Sequence, residues 1–430
     1  MSEPTPLSLI EESVQQRAMS IAVDMDTPEG RDALRALIGE AIEHWQYESR
    51  SIGDHRALID PGTIAERAWR NLAENGPLTS LLADPDVWEI EINSPSEIFV
   101  KRHRGSNGYH QETFHDDDHV LRTLARLLDR SSGSHRRLDP TEGLQDAQLD
   151  DGSRLHIVHG DIARGGHCMV NIRRFTGVAY THLEELVSTR TLSDEAARFL
   201  AGAVRVGASI VFAGAPGSGK TTLLSCCLGE LDPSLRVVTA EEVFEIDAPL
   251  ANVASMQTRA ARSDRPEIDL RRLVSGFLRM APDVAVVGEV RDREALPLLL
   301  TLSSGVRGFT TIHASNARGA LSRLRLLAEL SDAARNLPHS ALTSLVSESI
   351  DLVVFSERSD DGPRVREIIA VEDRCTDPSS GAFTVTELFR TGAEDELRWC
   401  GTPPQRLLTR LRFDDGDIEA MLRDGPAARR

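Results

Sequence analysis

The sequence predicts an α/β protein, with a parallel sheet covered by helices on both faces and a smaller α+β domain before it. Three observations predict this. Apolar strands alternate with helix-like stretches from about residue 190 to 355, the pattern of βαβ units packed into a parallel sheet. Residues 209–213 (Ser-Ile-Val-Phe-Ala) run straight into a glycine-rich turn and then a helix-like stretch through Leu223, Leu224 and Leu228. Ahead of these, short alternating strands mix with one amphipathic helix.

The 430 residues exceed one typical domain, and five zones are expected. Residues 1–75 form a helical N-terminal appendage, with Leu34, Leu37, Ile38, Ala41 and Ile42 at helical spacing and Pro61-Gly62 as punctuation. Residues 76–176 form the α+β domain. In it, 88–93, 98–101, 155–158 and 169–172 read as strands. Residues 119–128 read as a helix behind the cap cluster Asp116 to Asp118. Residues 177–189 are a linker or hinge, 190–392 the main α/β domain, and 393–430 a C-terminal tail. Short strands at 366–371 and 384–388 and a helix at 404–412 are expected near that end.

Composition narrows the class. The formal net charge of −18 opposes nonspecific binding to nucleic acid or anionic lipid. No apolar run reaches the ~18 residues of a membrane span; the stretch 296–302 breaks at Ser303. The N-terminus shows no basic and apolar signal regions. The five cysteines, Cys168, Cys226, Cys227, Cys375 and Cys400, include no C-x-x-C pair. They read as small thiols in a reducing cytosol rather than a zinc module or disulfide framework.

The turn is Gly214-Ala215-Pro216-Gly217-Ser218-Gly219-Lys220-Thr221-Thr222, a G-x-x-x-x-G-K-[ST] loop between strand and helix. Glycines let the backbone wrap a phosphate with no side chain in the way. Successive N–H groups and a helix N-terminus then face the anion. Lys220 supplies a charge to the outer phosphates, and Thr221 offers its hydroxyl to Mg²⁺.

Three further apolar strands deliver polar groups at their carboxyl ends, where doubly wound sheets bind ligands. Residues 236–240 precede Glu241, Glu242 and Glu245; 284–287 precede Gly288-Glu289; 309–312 end at His313. A carboxylate there can orient a water against a terminal phosphate, and a second can hold Mg²⁺. On spacing alone an ordinary loop charge is the lesser alternative for Glu245, whereas His313 is equally a structural histidine.

These residues resemble the type II/type IV secretion ATPase superfamily, most closely CpaF-type ATPases of Tad/Flp pilus assembly. The likeness is carried in order by Gly76-Pro77-Leu78, Glu89-Ile90-Glu91-Ile92-Asn93, Asp150-Asp151-Gly152-Ser153-Arg154 and Ile172-Arg173-Arg174-Phe175. It continues in the phosphate loop, Glu241-Glu242-Val243-Phe244-Glu245, Met256-Gln257-Thr258-Arg259 and Leu278-Arg279-Met280. It ends in Val287-Gly288-Glu289-Val290-Arg291-Asp292 and Thr310-Thr311-Ile312-His313. The resemblance implies a RecA-like P-loop NTPase core behind a PAS-like α+β domain, with ATP and Mg²⁺ as cofactors. It implies Glu245 as catalytic glutamate, Glu289 as the Walker B residue, Glu242 with Glu289 and Thr221 around the metal, and Arg259 and Arg279 near the nucleotide. Arg154 would approach the phosphates from the N-terminal domain. A homo-hexamer that is cytoplasmic and works with an integral inner-membrane platform protein is implied as well, with no direct nucleic-acid partner. Two departures stand out: Glu242 replaces the usual aspartate, and Ser304-Gly305-Val306 replaces a Thr-Gly-His start. A nucleic-acid motor and a nucleotide-gated scaffold that barely hydrolyses remain alternatives.

Overall fold

The computed structural model describes residues 5–25, 27–52, 58, 60–102, 105–130, 138–139, 141, 143–174, 180–259, 266–359, 361–372, 382–392 and 395–414. Two units divide at residues 176 and 177. That boundary, Phe175 and the first hinge residues lie outside the described set, as does the tail beyond 414.

The first unit begins with three helices, α1 (Pro6–Ser20), α2 (Pro28–Ile52) and α3 (Pro61–Ala73). Thr5 and Asp60 cap α1 and α3, each with proline at the first turn, where a missing N–H costs nothing. The three close on Leu7, Ile10, Val14, Leu34, Ile38 and Ala68. After α4 (Leu78–Ala83) come β1 (Val87–Ser94), β2 (Glu97–Arg102), β3 (Gly108–Tyr109), α5 (Asp117–Asp129), β4 (Leu144–Gln148), β5 (Arg154–Val158) and β6 (Met169–Arg173). The six strands form one antiparallel sheet ordered β3-β2-β1-β6-β5-β4. Asp116 caps α5 through its carboxylate, and the α5 face Val120, Leu124, Leu127 and Leu128 joins the sheet's apolar face.

The helical zone is tied to this domain rather than hung from it. Buried Glu11 of α1 accepts from Asn71 Nδ2 at 2.7 Å and lies 2.9 Å from His115 Nε2. Arg126 of α5 donates to the carbonyls of Asn71 and Leu72.

The second unit holds α6 (Leu183–Ser188), α7 (Asp194–Arg205), β7 (Ile210–Gly214), α8 (Lys220–Leu228), β8 (Val237–Glu241), β9 (Val253–Gln257), α9 (Leu270–Val274) and β10 (Val284–Val287). It continues with α10 (Ala295–Ser303), β11 (Arg307–Ile312), α11 (Ala317–Glu329), α12 (His339–Ser349), β12 (Leu352–Ser359), β13 (Gly362–Val371), β14 (Val385–Thr391), β15 (Leu397–Trp399) and α13 (Gln405–Asp414). Nine strands make one sheet, ordered β15-β14-β13-β12-β7-β11-β10-β8-β9. The six from β12 to β9 run parallel, and β13 to β15 extend them antiparallel. Alternate residues feed opposite faces: Ile210 and Phe212 enter one core, Val211 and Ala213 the other.

Two expected boundaries need correction. The hinge 177–189 contains α6, whose Leu183 and Leu186 are buried in the second unit's core. The tail expected from 393 is structured through 414. β15 pairs with β14, and Trp399 and Leu407 are buried in the same core. Polar residues between the apolar ones hid α6 and β15, which tertiary packing stabilises, whereas the helix expected at 404–412 is α13.

Candidate functional site

The site is built on the four adjacent parallel strands β7, β11, β10 and β8, in that spatial order. All four are buried along nearly their whole length, so their polar groups gather at the carboxyl ends.

β7 delivers the phosphate loop. Gly214 has φ 153° and Gly219 φ 85°, values that side chains with a Cβ adopt poorly. A Cβ on Gly214 would fall 2.2 Å from the Ser356 carbonyl and 2.4 Å from Ser218 Oγ. The loop is braced from β12, where Ser356 Oγ bonds Ser218 Oγ at 3.2 Å and Arg358 donates to the Gly217 carbonyl at 3.4 Å. Lys220 is buried at the start of α8. Its Nζ donates to the Ala215 carbonyl at 2.8 Å and lies 3.4 Å from His313 Nδ1. Thr221 and Thr222 are half-buried beside it.

His313 follows β11 and links the loop to β10. Its Nδ1 lies 3.2 Å from the Gly214 carbonyl and its Nε2 2.7 Å from Glu289 Oε1. Glu289 Oε2 accepts from Arg291 at 2.7 Å, and the same guanidinium donates to Glu242 Oε2 at 2.6 Å. Burial pushes the Glu289 carboxyl up, but hydrogen bonds from His313 and Arg291 outweigh it and hold the group at about 2. Glu289 is therefore a carboxylate at neutral pH. Arg291 is pushed up in turn, chiefly by its hydrogen bond to Glu289.

The turn after β8 is set by Glu241. Its buried carboxylate accepts from the backbone N–H groups of Glu245 and Ile246 at 2.8 and 2.9 Å. A Cβ on Gly288 would come 3.0 Å from Glu241 Cγ, so glycine there admits this side chain.

The donor set suits the group it implies. The Thr221 hydroxyl and the Glu242 and Glu289 carboxylates are hard oxygen ligands of the kind Mg²⁺ takes. The glycine loop at a helix N-terminus suits phosphate.

A family model described as type II/IV secretion system protein matches residues 71–387. The chain belongs to that family. Among curated relatives, the conjugal transfer protein TrbB of Rhizobium radiobacter is 34% identical over 231 residues, 50% of this chain and 68% of that protein. The type IV secretion system protein PtlH of Bordetella pertussis is 31% identical over 301 residues, 64% of this chain and 87% of that one. The solved Legionella pneumophila ATPase DotB is 20% identical with a TM-score of 0.48, covering 69% of this chain and 82% of that one. That overlap is too slight to add to the sequence match.

Within this secretion-family chain, the structure joins Lys220, His313, Glu289 and Glu242 in one network. Glu245 is half-buried and acts on Arg291 through its charge. Arg259 is directed elsewhere, donating to the Pro266 carbonyl at 3.2 Å. Arg279 is exposed on the 3-10 turn Phe277–Met280. No hydrogen bond among the described residues joins either arginine to Glu289 or His313. Arg154 opens β5 in the first unit, half-buried. Val306 packs against the core beneath the sheet, a role its apolar side chain fills and a histidine would not. Sequence reading missed Arg291 and Glu241 as site residues. Arg291 stood inside the motif, two residues after Glu289, which was the available signal.

Proposed function

We propose that this chain is an ATPase that converts hydrolysis of ATP to ADP and phosphate into work for a secretion or pilus-assembly machine. The observation carrying this reading is the chain of contacts from Lys220 through His313 to ionised Glu289, at the carboxyl ends of neighbouring strands. The glycine loop and Lys220 bind the β- and γ-phosphates. Mg²⁺, held by Thr221 with Glu289 and Glu242, would neutralise charge developing on the phosphate oxygens. Glu289, ionised and fixed by His313 and Arg291, orients the attacking water, and Glu245 is the second carboxylate for that water. The water oxygen bonds to the γ-phosphorus, the bond to the bridging oxygen breaks, and the water proton passes to a carboxylate. His313, touching both Glu289 and the phosphate-loop backbone, reports the γ-phosphate to the β10 loop.

Relatives named for conjugal transfer and type IV secretion support an export or assembly role. The finer reading is a cytoplasmic homo-hexamer with a RecA-like core and PAS-like N-terminal domain, acting on an inner-membrane platform protein in Tad/Flp-type pilus assembly. In this reading Arg154, Arg259 and Arg279 contact the nucleotide, because arginine's fixed charge and donor fork suit phosphate. Phosphate release from the purified chain tests the proposal. Wild type should exceed Lys220→Ala and Glu289→Gln by at least about 10²-fold, and Arg154→Ala should also slow. A wild-type rate equal to Glu289→Gln would leave a nucleotide-gated scaffold.

A further inference from the structure

Arg291 lies two residues beyond Glu289 and touches both acidic strand ends at once. One terminal nitrogen donates to Glu242 Oε2 at 2.6 Å and the other to Glu289 Oε2 at 2.7 Å. The planar guanidinium therefore fixes the spacing between two carboxylates that come from different strands, β8 and β10. A lysine, with a point charge on a flexible stem, cannot set that spacing.

An exposed ion pair usually contributes little, because water screens it and long side chains lose freedom. This pair differs in two ways. The Glu289 side chain is only 21% exposed, against 47% for Glu242, so the Glu289 arm is the stronger one. Both backbones are also pinned. The buried Glu294 carboxylate accepts from Arg291 N and Asp292 N at 2.5 and 2.8 Å. Val290 N donates to the Thr311 carbonyl at 2.9 Å. On the other side, Thr258 Oγ1 donates to the Glu242 carbonyl at 3.2 Å. The arginine is thus presented by a fixed loop, and less ordering entropy opposes its two bonds.

We propose that Arg291 is a positioning residue: its donor fork holds Glu242 and Glu289 together as one acidic pair and competes with a divalent cation for them. Two adjacent carboxylates without a cation between them would repel one another and attract any divalent ion in solution. With Arg291 present, that charge is neutralised internally, and a metal must displace one arm of the fork to reach both oxygens. The proposal deepens the ATPase reading and depends on it only for its kinetic arm.

Manganese, an EPR-visible stand-in for magnesium, tests the competition in the full chain with no nucleotide added. Arg291→Gln should bind Mn²⁺ about tenfold more tightly than wild type. Adding Glu242→Gln to that variant should return affinity to near the wild-type value. Should Arg291→Gln fail to give the wild-type circular dichroism and melting profile, Arg291→Lys carries the test. It keeps the charge but loses the fork, and should still tighten Mn²⁺ by about threefold. Affinity within twofold of wild type in whichever variant is folded overturns the competition. In steady-state kinetics Arg291→Gln should lower kcat by about tenfold and leave the KM for ATP within about threefold, because Lys220 and the glycine loop are untouched. A raised KM with kcat retained would mean that Arg291 binds nucleotide directly, and the positioning role would be wrong. If wild type hydrolyses no ATP, the functional reading fails, and the Mn²⁺ titration still decides the role of Arg291.

Discussion

His119 offers a measurable pH dependence of stability. It lies on α5 at 2% exposure, edge-on to Phe114 with ring centroids 5.1 Å apart and 5.0 Å from the ring of His115. Burial lowers its pKa from 6.5 to about 3, with neighbouring His115, Arg122 and Arg126 adding to the effect. The ring is neutral when folded but takes a proton near 6.5 in the open chain. The sign follows: stability from the neutral ring is fully present above 6.5 and is lost as pH falls from 6.5 towards 3. The whole effect is on the order of 5 kcal/mol, at ~1.4 kcal/mol per pH unit. Between pH 7 and pH 5.5, still above the sequence pI of 5.2, wild type should lose about 1.3 kcal/mol through this group. His119→Gln removes the titration while keeping an acceptor for the His115 N–H, which lies 3.4 Å from His119 Nδ1. Guanidinium unfolding followed by tryptophan emission reads this unit, which holds Trp45, Trp69 and Trp88 of the four tryptophans. Parallel pH curves for wild type and His119→Gln would refute the assignment.

Two other substitutions probe the second unit. Gly214→Ala forces a Cβ against the Ser356 carbonyl at a φ of 153°; it should destabilise the unit by about 2 kcal/mol or more in thermal or denaturant unfolding, and a loss under ~0.5 kcal/mol would contradict the close packing of loop on β12. Trp399→Ala removes a ring 5.2 Å from Phe389 and 6.4 Å from Phe199; a cost of about 3–5 kcal/mol is expected for a core position, whereas a disordered tail would show almost none.

Local signals were legible in the sequence and side-chain geometry was not. The phosphate loop could be read because strand, glycines, lysine and helix are contiguous, so each residue's setting is fixed by its immediate neighbours. The strands ending near Glu241, Glu289 and His313 were legible for the same reason, since buried parallel strands appear as continuous apolar runs. Their spatial order, which puts β11 and β10 between β7 and β8, has no local signal. Nor has the reach of Arg291 across to Glu242, which depends on how two loops 49 residues apart meet. The short strand β4 escaped because Gln145 and Ala147 are its buried residues while Leu144 is exposed, and β15 because it has only three residues; each takes its stability from pairing with a neighbour. The same limit applies to Arg259 and Arg279. Their motif context suggested the nucleotide, but among the described residues no hydrogen bond joins either to the Glu289 network.

The strand that leads into the glycine loop, β7, has no sequence neighbour beside it in the sheet. Both strands flanking β7 come later in the chain, β11 about 100 residues on and β12 about 140. The brace at Ser356 is part of β12 itself, and Pro363, which lies over Gly219, follows just after it. During synthesis, then, the glycine loop emerges from the ribosome long before β11 and β12 exist to flank its strand. Pairings of such wide separation form slowly. A nascent chain arrested before residue 352 would carry a complete glycine motif with one side of its strand unpaired, open to chaperones or to a neighbouring nascent chain.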